Sequence, residues 1–148
     1  MTDLDAVLRR SLAQASPHSK KVYGQNPLTG QEIIDLANTR VLTIAATIKP
    51  NGSPHLSPSD LVSVNKLLYI GIDEATARFK NLKQNPAITL MIADGWKRQA
   101  ILEGKVEFLD MKSGTAKNVL DAQKKKYGWV TDALAEFIPE TVFTYEAK

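Results

Sequence analysis

Three short segments carry the residue types that binding chemistry needs. Thr76-Ala77-Arg78-Phe79-Lys80-Asn81-Leu82 sets a threonine just ahead of two cations. A threonine at a helix start caps free N–H groups, and a helix N-terminus with cations nearby is an anion site. Arginine clamps phosphate oxygens bidentately, while lysine adds a point charge. Residues two apart on an ideal helix diverge by roughly 200°, so Arg78 and Lys80 cannot both face one phosphate from regular helix. Thr76 and Lys80, four apart, share a side. Either Arg78 sits in an irregular entry turn, or one of the two cations is only a surface residue.

The second segment is His55-Leu56-Ser57-Pro58-Ser59-Asp60. Proline removes a ladder donor, so Pro58 implies an edge or a bulge, where backbone groups are free to meet a ligand. Ser57 and Ser59 point the same way by strand alternation. The third is Trp96-Lys97-Arg98-Gln99, running on to Leu102-Glu103-Gly104. Gln99 opens an otherwise apolar strand, and its amide can both donate to and accept from a heterocycle. Each segment also has a plain structural account: a solvated helix, a polar edge strand, a glutamine at a strand start. Asp60, Asp73, Glu74, Asp94 and Glu103 offer carboxylates, but no pair has a spacing that singles it out for acid/base work. Ser57 and Ser59 lack a nucleophile-elbow context, and no catalytic side chain is assigned.

Composition narrows the chemistry further. With no cysteine and only His18 and His55, the chain has no thiolate site and no multi-histidine metal centre. Nineteen Lys and Arg against sixteen Asp and Glu give +3. The cations are scattered rather than gathered into a stripe, which argues against a nucleic-acid partner. Lys124-Lys125-Lys126 reads as a solvated helix end, favoured there by the helix dipole. No stretch reaches the roughly 20 apolar residues of a membrane span, and Met1-Thr2-Asp3-Leu4-Asp5 lacks a signal peptide's basic start. The expectation is a soluble cytoplasmic protein with no membrane partner. Its 148 residues, 43% apolar and 24% charged, suit one globular domain.

The elements that must position these segments follow from periodicity. Leu4, Val7, Leu8 and Leu12 share one face of a helix over residues 3–14. Residues 16–28 read as a connecting arm, and Thr29-Gly30-Gln31-Glu32 has capping-box spacing for a short helix. Strands are expected at 41–48, 55–64, 67–72, 87–93, 99–109 and 141–146, with a hairpin at Asn51-Gly52. Helices are expected at 76–85, 112–127 and, shorter, 131–138. No Gly-x-Gly-x-x-Gly turn or Gly-Lys-Ser/Thr phosphate loop is present. The class is α+β: about six strands, mostly linked by hairpin-length loops, around a small barrel, with flanking helices. Residues 1–30 make an N-terminal helix and arm, and 31–148 the barrel, within one domain overall.

Taken in order, the motifs resemble the pyridoxamine-phosphate-oxidase-like flavin-binding split-barrel family. They are Asn51-Gly52-Ser53-Pro54-His55-Leu56-Ser57-Pro58, Leu68-Tyr69-Ile70-Gly71, Thr76-x-Arg78-x-Lys80-Asn81-Leu82-x-x-Asn85-Pro86, and Trp96-Lys97-Arg98-Gln99 with Glu103-Gly104. The resemblance runs from Ile33 to Asp110. It implies a six-stranded antiparallel split β-barrel with flanking helices, forming a homodimer with FMN in two interfacial clefts and acting as an oxidoreductase on a small-molecule redox substrate or electron donor. By position, Leu56, Ser57, Pro58 and Ser59 would line the flavin, with Gly71 and Ile72 beneath its ribityl and phosphate. Thr76, Arg78 and Lys80 would hold the phosphate, and Gln99 would bond the flavin. The true oxidases carry an Arg-Lys pair where this chain has Ala77-Arg78. Their C-terminal substrate segment has no counterpart in Trp129 to Lys148, so efficient pyridoxamine phosphate oxidation is not expected. A non-catalytic flavin-binding carrier or sensor shares the same pocket. Family members that bind deazaflavin or haem are further alternatives, haem calling on His55 as axial ligand.

Overall fold

The computed structural model describes residues 3–147. Helix α1 (Leu4–Gln14) starts where the Asp3 carboxylate accepts from the Asp5 and Ala6 N–H groups, and it buries Leu4, Val7, Leu8 and Ser11. Leu4, Val7 and Leu8 lie on the expected face, but Ser11 rather than the half-buried Leu12 completes it, and each fully buried aliphatic side chain contributes about 1.5–3 kcal/mol. Ser11 Oγ also accepts from Val142 N at 2.9 Å, which locks the helix to the last strand. Helix α2 (Pro17–Tyr23) occupies the stretch expected to be an arm. Ser16 caps it and Pro17 opens it, a helix start in its own right. It buries no residue, so it leaves no apolar stripe in the sequence. Helix α3 (Gly30–Asn38) has the expected capping box, with Thr29 and Glu32 each bonding the other's backbone N–H.

The strands are β1 (Leu42–Ile48), β2 (Pro54–Pro58), β3 (Val62–Val64), β4 (Leu67–Ile72), β5 (Ala87–Asp94), β6 (Arg98–Phe108) and β7 (Ala133–Glu146). Helix α4 (Ala77–Gln84) lies between β4 and β5, and α5 (Gly114–Tyr127) between β6 and β7. All pairings are antiparallel, in the order β2-β1-β5-β6-β7-β4-β3. There are seven strands rather than six, because the expected strand 55–64 breaks at Ser59–Leu61.

That break determines the architecture. β2 and β3 are consecutive in the chain yet stand at opposite ends of the strand order. Six strand spacings of ~4.8 Å would separate them by ~29 Å in a flat sheet, and three residues reach only ~10 Å. The sheet must therefore curl until its edges face each other, which makes a barrel with one unpaired seam. Inside it, Ile33, Leu36, Ala45, Ile70, Leu90, Leu102 and Phe137 form one core with Leu4, Val7 and Leu8 of α1.

The expected helix over 131–138 is instead the first part of β7. Residues 133–137 pair with β4, and 135–146 with β6. Ala133, Leu134 and Ala135 are buried in succession, so no alternation marks the start of this strand. Pro139 lies opposite Gly104, beside the β-bulge at Glu103/Gly104, which is where a sheet tolerates a proline.

The sheet's outer face near the seam is apolar and half exposed. Ile44, Met91, Ile101 and Phe143 are paired in one row across β1, β5, β6 and β7. Leu42, Ala93, Gln99 and Tyr145 make the next row. Leu56 of β2 extends the face and is 68% exposed. Among the described residues, no helix is long and apolar enough to cross a membrane.

Candidate functional site

The seam opens into a cleft of about 520 Å³, within the usual range for small-molecule sites. Pro58, Ser59 and Asp60 form one wall, Gly71, Asp73, Thr76 and Arg78 another, with Arg40 to Thr43 and Tyr127 to Thr131 at the ends. Arg78 is its hub, 9% exposed. Its Nη1 donates to Pro58 O at 2.6 Å and to Ser57 Oγ at 3.4 Å, while Nη2 donates to Gly71 O at 3.1 Å. One guanidinium thus ties the end of β2 to β4 across the gap that no ladder closes. Burial lowers the Arg78 pKa, opposed by the nearby Asp60 and Asp73 carboxylates.

Two polar atoms on the cleft residues are buried and unpartnered: Arg78 Nε and Thr43 Oγ1. One is an obligate donor and the other a donor or acceptor. Such atoms cost free energy unless something bonds them. Thr76 is the N-cap of α4, accepting from Phe79 N at 3.2 Å and donating to Asp73 O at 2.7 Å.

The fold brings Pro58, Ser59, Gly71, Thr76 and Arg78 to this cleft, with Ser57 held against Arg78. Ser59 is fixed by its N–H to Thr43 O and its hydroxyl to Asp60 O. Four other expected residues lie elsewhere. Leu56 projects from the outer sheet face, opposite Ala46. Ile72 is fully buried in the core. Lys80 is exposed and lines no part of the cleft, so of the two cations on α4 it is the surface one. Gln99 stands on the outer face, donating to Gly95 O at 3.1 Å. It lies two strands, ~10 Å, from Leu42 at the cleft mouth.

The far end of the cleft joins Asp60, the last residue of the second segment, to residues without a sequence motif. The Asp60 Oδ2 atom accepts from Gln123 Nε2 at 2.8 Å and from Trp129 Nε1 at 2.9 Å. Gln123 also bonds Thr131. A Cβ on Gly71 would collide with the Gln123 amide, so this position must be glycine for the network to close. Trp129 stacks on Tyr127 with ring centroids 5.2 Å apart. The helix leading into this end stops at Gly128, whose φ of +84° is the left-handed cap that favours glycine. Among the described residues, no group of three or more His, Asp or Glu side chains is arranged to hold a metal ion.

The lysine run at the end of α5 is not uniformly solvated, as the sequence suggested. Lys126 turns inward and donates to Ala37 O at 2.6 Å and Leu61 O at 2.7 Å. Burial lowers its pKa to about 8, with Asp60 acting in the opposite direction. Between about pH 8 and the ordinary 10.5 the unfolded chain therefore holds more protons than the folded one at this site. The stability contribution of Lys126 rises with pH across that window. Denaturant melts of the wild type and Lys126→Met should show their difference moving in the wild type's favour from pH 8 to 10; a difference independent of pH would refute the assignment.

Comparison with known proteins agrees with this fold. A family model described as pyridoxamine 5'-phosphate oxidase matches residues 30–148. Among solved structures, the conserved hypothetical protein Rv2991 of Mycobacterium tuberculosis superposes with a TM-score of 0.66 at 18% identity, covering 80% of this chain and 85% of its own. The haem storage protein HutZ of Vibrio cholerae gives 0.64 at 17%, covering 78% and 92%. A structure titled F420 reductase gives 0.59 at 17%, covering 73% and 93%. No curated protein matches the sequence significantly.

Proposed function

We propose, on the premise that this chain belongs to the pyridoxamine 5'-phosphate oxidase family, that the seam cleft binds FMN and that the protein is a flavin-dependent oxidoreductase. The observation that carries this reading is the pair of buried, unpartnered atoms Arg78 Nε and Thr43 Oγ1 on the cleft walls. A bound phosphate has oxygens that would accept from each of them, and the N-terminus of α4 adds favourable polarity. The fit is a modest one for a dianion. The Nη atoms of Arg78 already serve Pro58, Ser57 and Gly71, and Asp60 and Asp73 flank the same space.

Bound flavin supplies the electron or hydride transfer, and the protein binds and orients it. Arg78 and Thr43 would hold the phosphate, Ser59 and the Pro58 backbone would line the chain above it, and Trp129 and Tyr127 would shield one end from water. No side chain is assigned a proton-transfer role.

The outer apolar rows support a homodimer. A monomer leaving Leu56 open to water and Ile44, Met91 and Ile101 partly exposed, with Phe143 only partly covered by Tyr23, keeps an apolar patch that a twofold partner covers. Gln99 lies on that face, so it reaches a flavin only from the second copy. The haem reading stands second. The better placed of the two histidines, His55, lies outside the seam cleft, in a recess beside Lys49, Pro50, Ala77 and Asn81. Its Nδ1 has no partner, whereas a ligating histidine normally has that nitrogen fixed by an acceptor.

Purified protein titrated with FMN is expected to bind it stoichiometrically and to sediment as a dimer at low micromolar concentration. A Soret band on purification, or no flavin uptake by a folded dimer, would overturn the cofactor. A monomer at those concentrations would overturn the interfacial site.

A further inference from the structure

Trp129 is a large indole, 47% exposed, whose orientation is fixed from two sides. One contact is the hydrogen bond from its Nε1 to Asp60 Oδ2, and the other is the stack on Tyr127, at an interplanar angle of 25°. Asp60 is in turn held by Gln123, which is 1% exposed. An exposed aromatic side chain normally retains rotamer freedom that a ligand must remove; this one has already lost it. The indole lines the same cleft as the unpartnered Arg78 Nε and Thr43 Oγ1. A site with a fixed aromatic surface and a separate anion-accepting corner suits a ligand that has both a planar ring and a phosphate.

We propose that Trp129 is the stacking residue for the heteroaromatic ring bound in this cleft, and that Asp60 is the positioning residue that sets its plane. This rests on the flavin reading above and assigns the ring a place in the cleft. Stacking is worth enough that its loss is expected to weaken binding about tenfold or more.

The chain has two tryptophans, and Trp96 at the β5–β6 turn is 86% exposed. Trp96→Phe therefore leaves Trp129 as the sole emitter. Titrating that variant with FMN should quench nearly all tryptophan emission, and with inorganic phosphate should leave it nearly unchanged. Trp129→Leu should bind FMN about tenfold or more weakly than wild type, while Trp129→Phe, which keeps an aromatic face but loses the bond to Asp60, should fall between the two. Wild type that binds FMN with Trp129→Leu equally tight, or with Trp129 emission unquenched at saturation, would overturn this inference alone. Folded wild type that takes up no FMN would overturn the flavin reading and this one with it.

Discussion

Arg78→Ala is expected to cost the folded protein about 3 kcal/mol and to weaken FMN by one to two decades more than riboflavin. Two effects combine in one side chain. The guanidinium makes two good bonds to backbone carbonyls, Pro58 O at 2.6 Å and Gly71 O at 3.1 Å, and a longer one to Ser57. Charge-assisted bonds contribute roughly 1.5–3 kcal/mol each, and the desolvation that lowers the Arg78 pKa offsets part of that gain. Alanine leaves both carbonyls without a donor at a seam where the ladder offers no substitute. The ligand effect comes from Nε, which has no partner in the protein. Riboflavin lacks the phosphate that would accept from it, so only FMN loses a contact on truncation. Arg78→Lys keeps the charge but not the fork, and is expected to recover part of the FMN affinity while still failing to span both carbonyls. Chemical denaturation and paired titrations with the two flavins measure both effects. Equal weakening of FMN and riboflavin would make Arg78 a strut and nothing more.

This dual role explains how far the site was legible in the sequence. Local signals worked wherever one short segment contains its own reason. The Thr29–Glu32 capping box and the Asn51-Gly52 turn, with Gly52 at φ +86°, are such cases. Thr76 is another, since a cap needs only the N–H three residues on. The inward turn of Arg78 is a different matter. Its partners are about 7 and 20 residues away and face each other only after the sheet has curled. Helical geometry set Arg78 against Lys80 without choosing between them; the seam carbonyls make the choice. Thr43, Asp60 and Trp129 belong to no common motif, because the far end of the cleft is assembled from β1, the β2–β3 crossing and the segment after α5. The missed part of β7 has the opposite cause. Its first three residues are buried in succession, so the alternation on which strand recognition depends sets in only from Ala135.

The second large effect should come from Gly104→Ala, about 3 kcal/mol, or about 10 °C in Tm for a chain of this size. Gly104 follows the bulge on β6, and a Cβ there would collide with Ile138 O on β7. That obstacle is backbone paired to β6 at Ile138 and held by β4 up to the preceding Phe137, so relief requires β7 to shift against both neighbours. Gly71→Ala meets the ends of side chains instead, the Gln123 amide and the Thr131 hydroxyl. Those can retreat at the loss of hydrogen bonds to Asp60 and to each other, for about 1–2 kcal/mol. The two variants should therefore differ in kind as well as size. Gly104→Ala should lower Tm more while leaving the emission of Trp129, read in the Trp96→Phe background, close to that of its parent. Gly71→Ala should lower Tm less but shift that emission, because the displaced Gln123 amide is what holds Asp60 against the indole. Thermal melts with fluorescence detection test both at once. A Gly71→Ala protein that is the less stable of the two, with unaltered Trp129 emission, would mean that the Asp60 network is not what keeps the glycine in place.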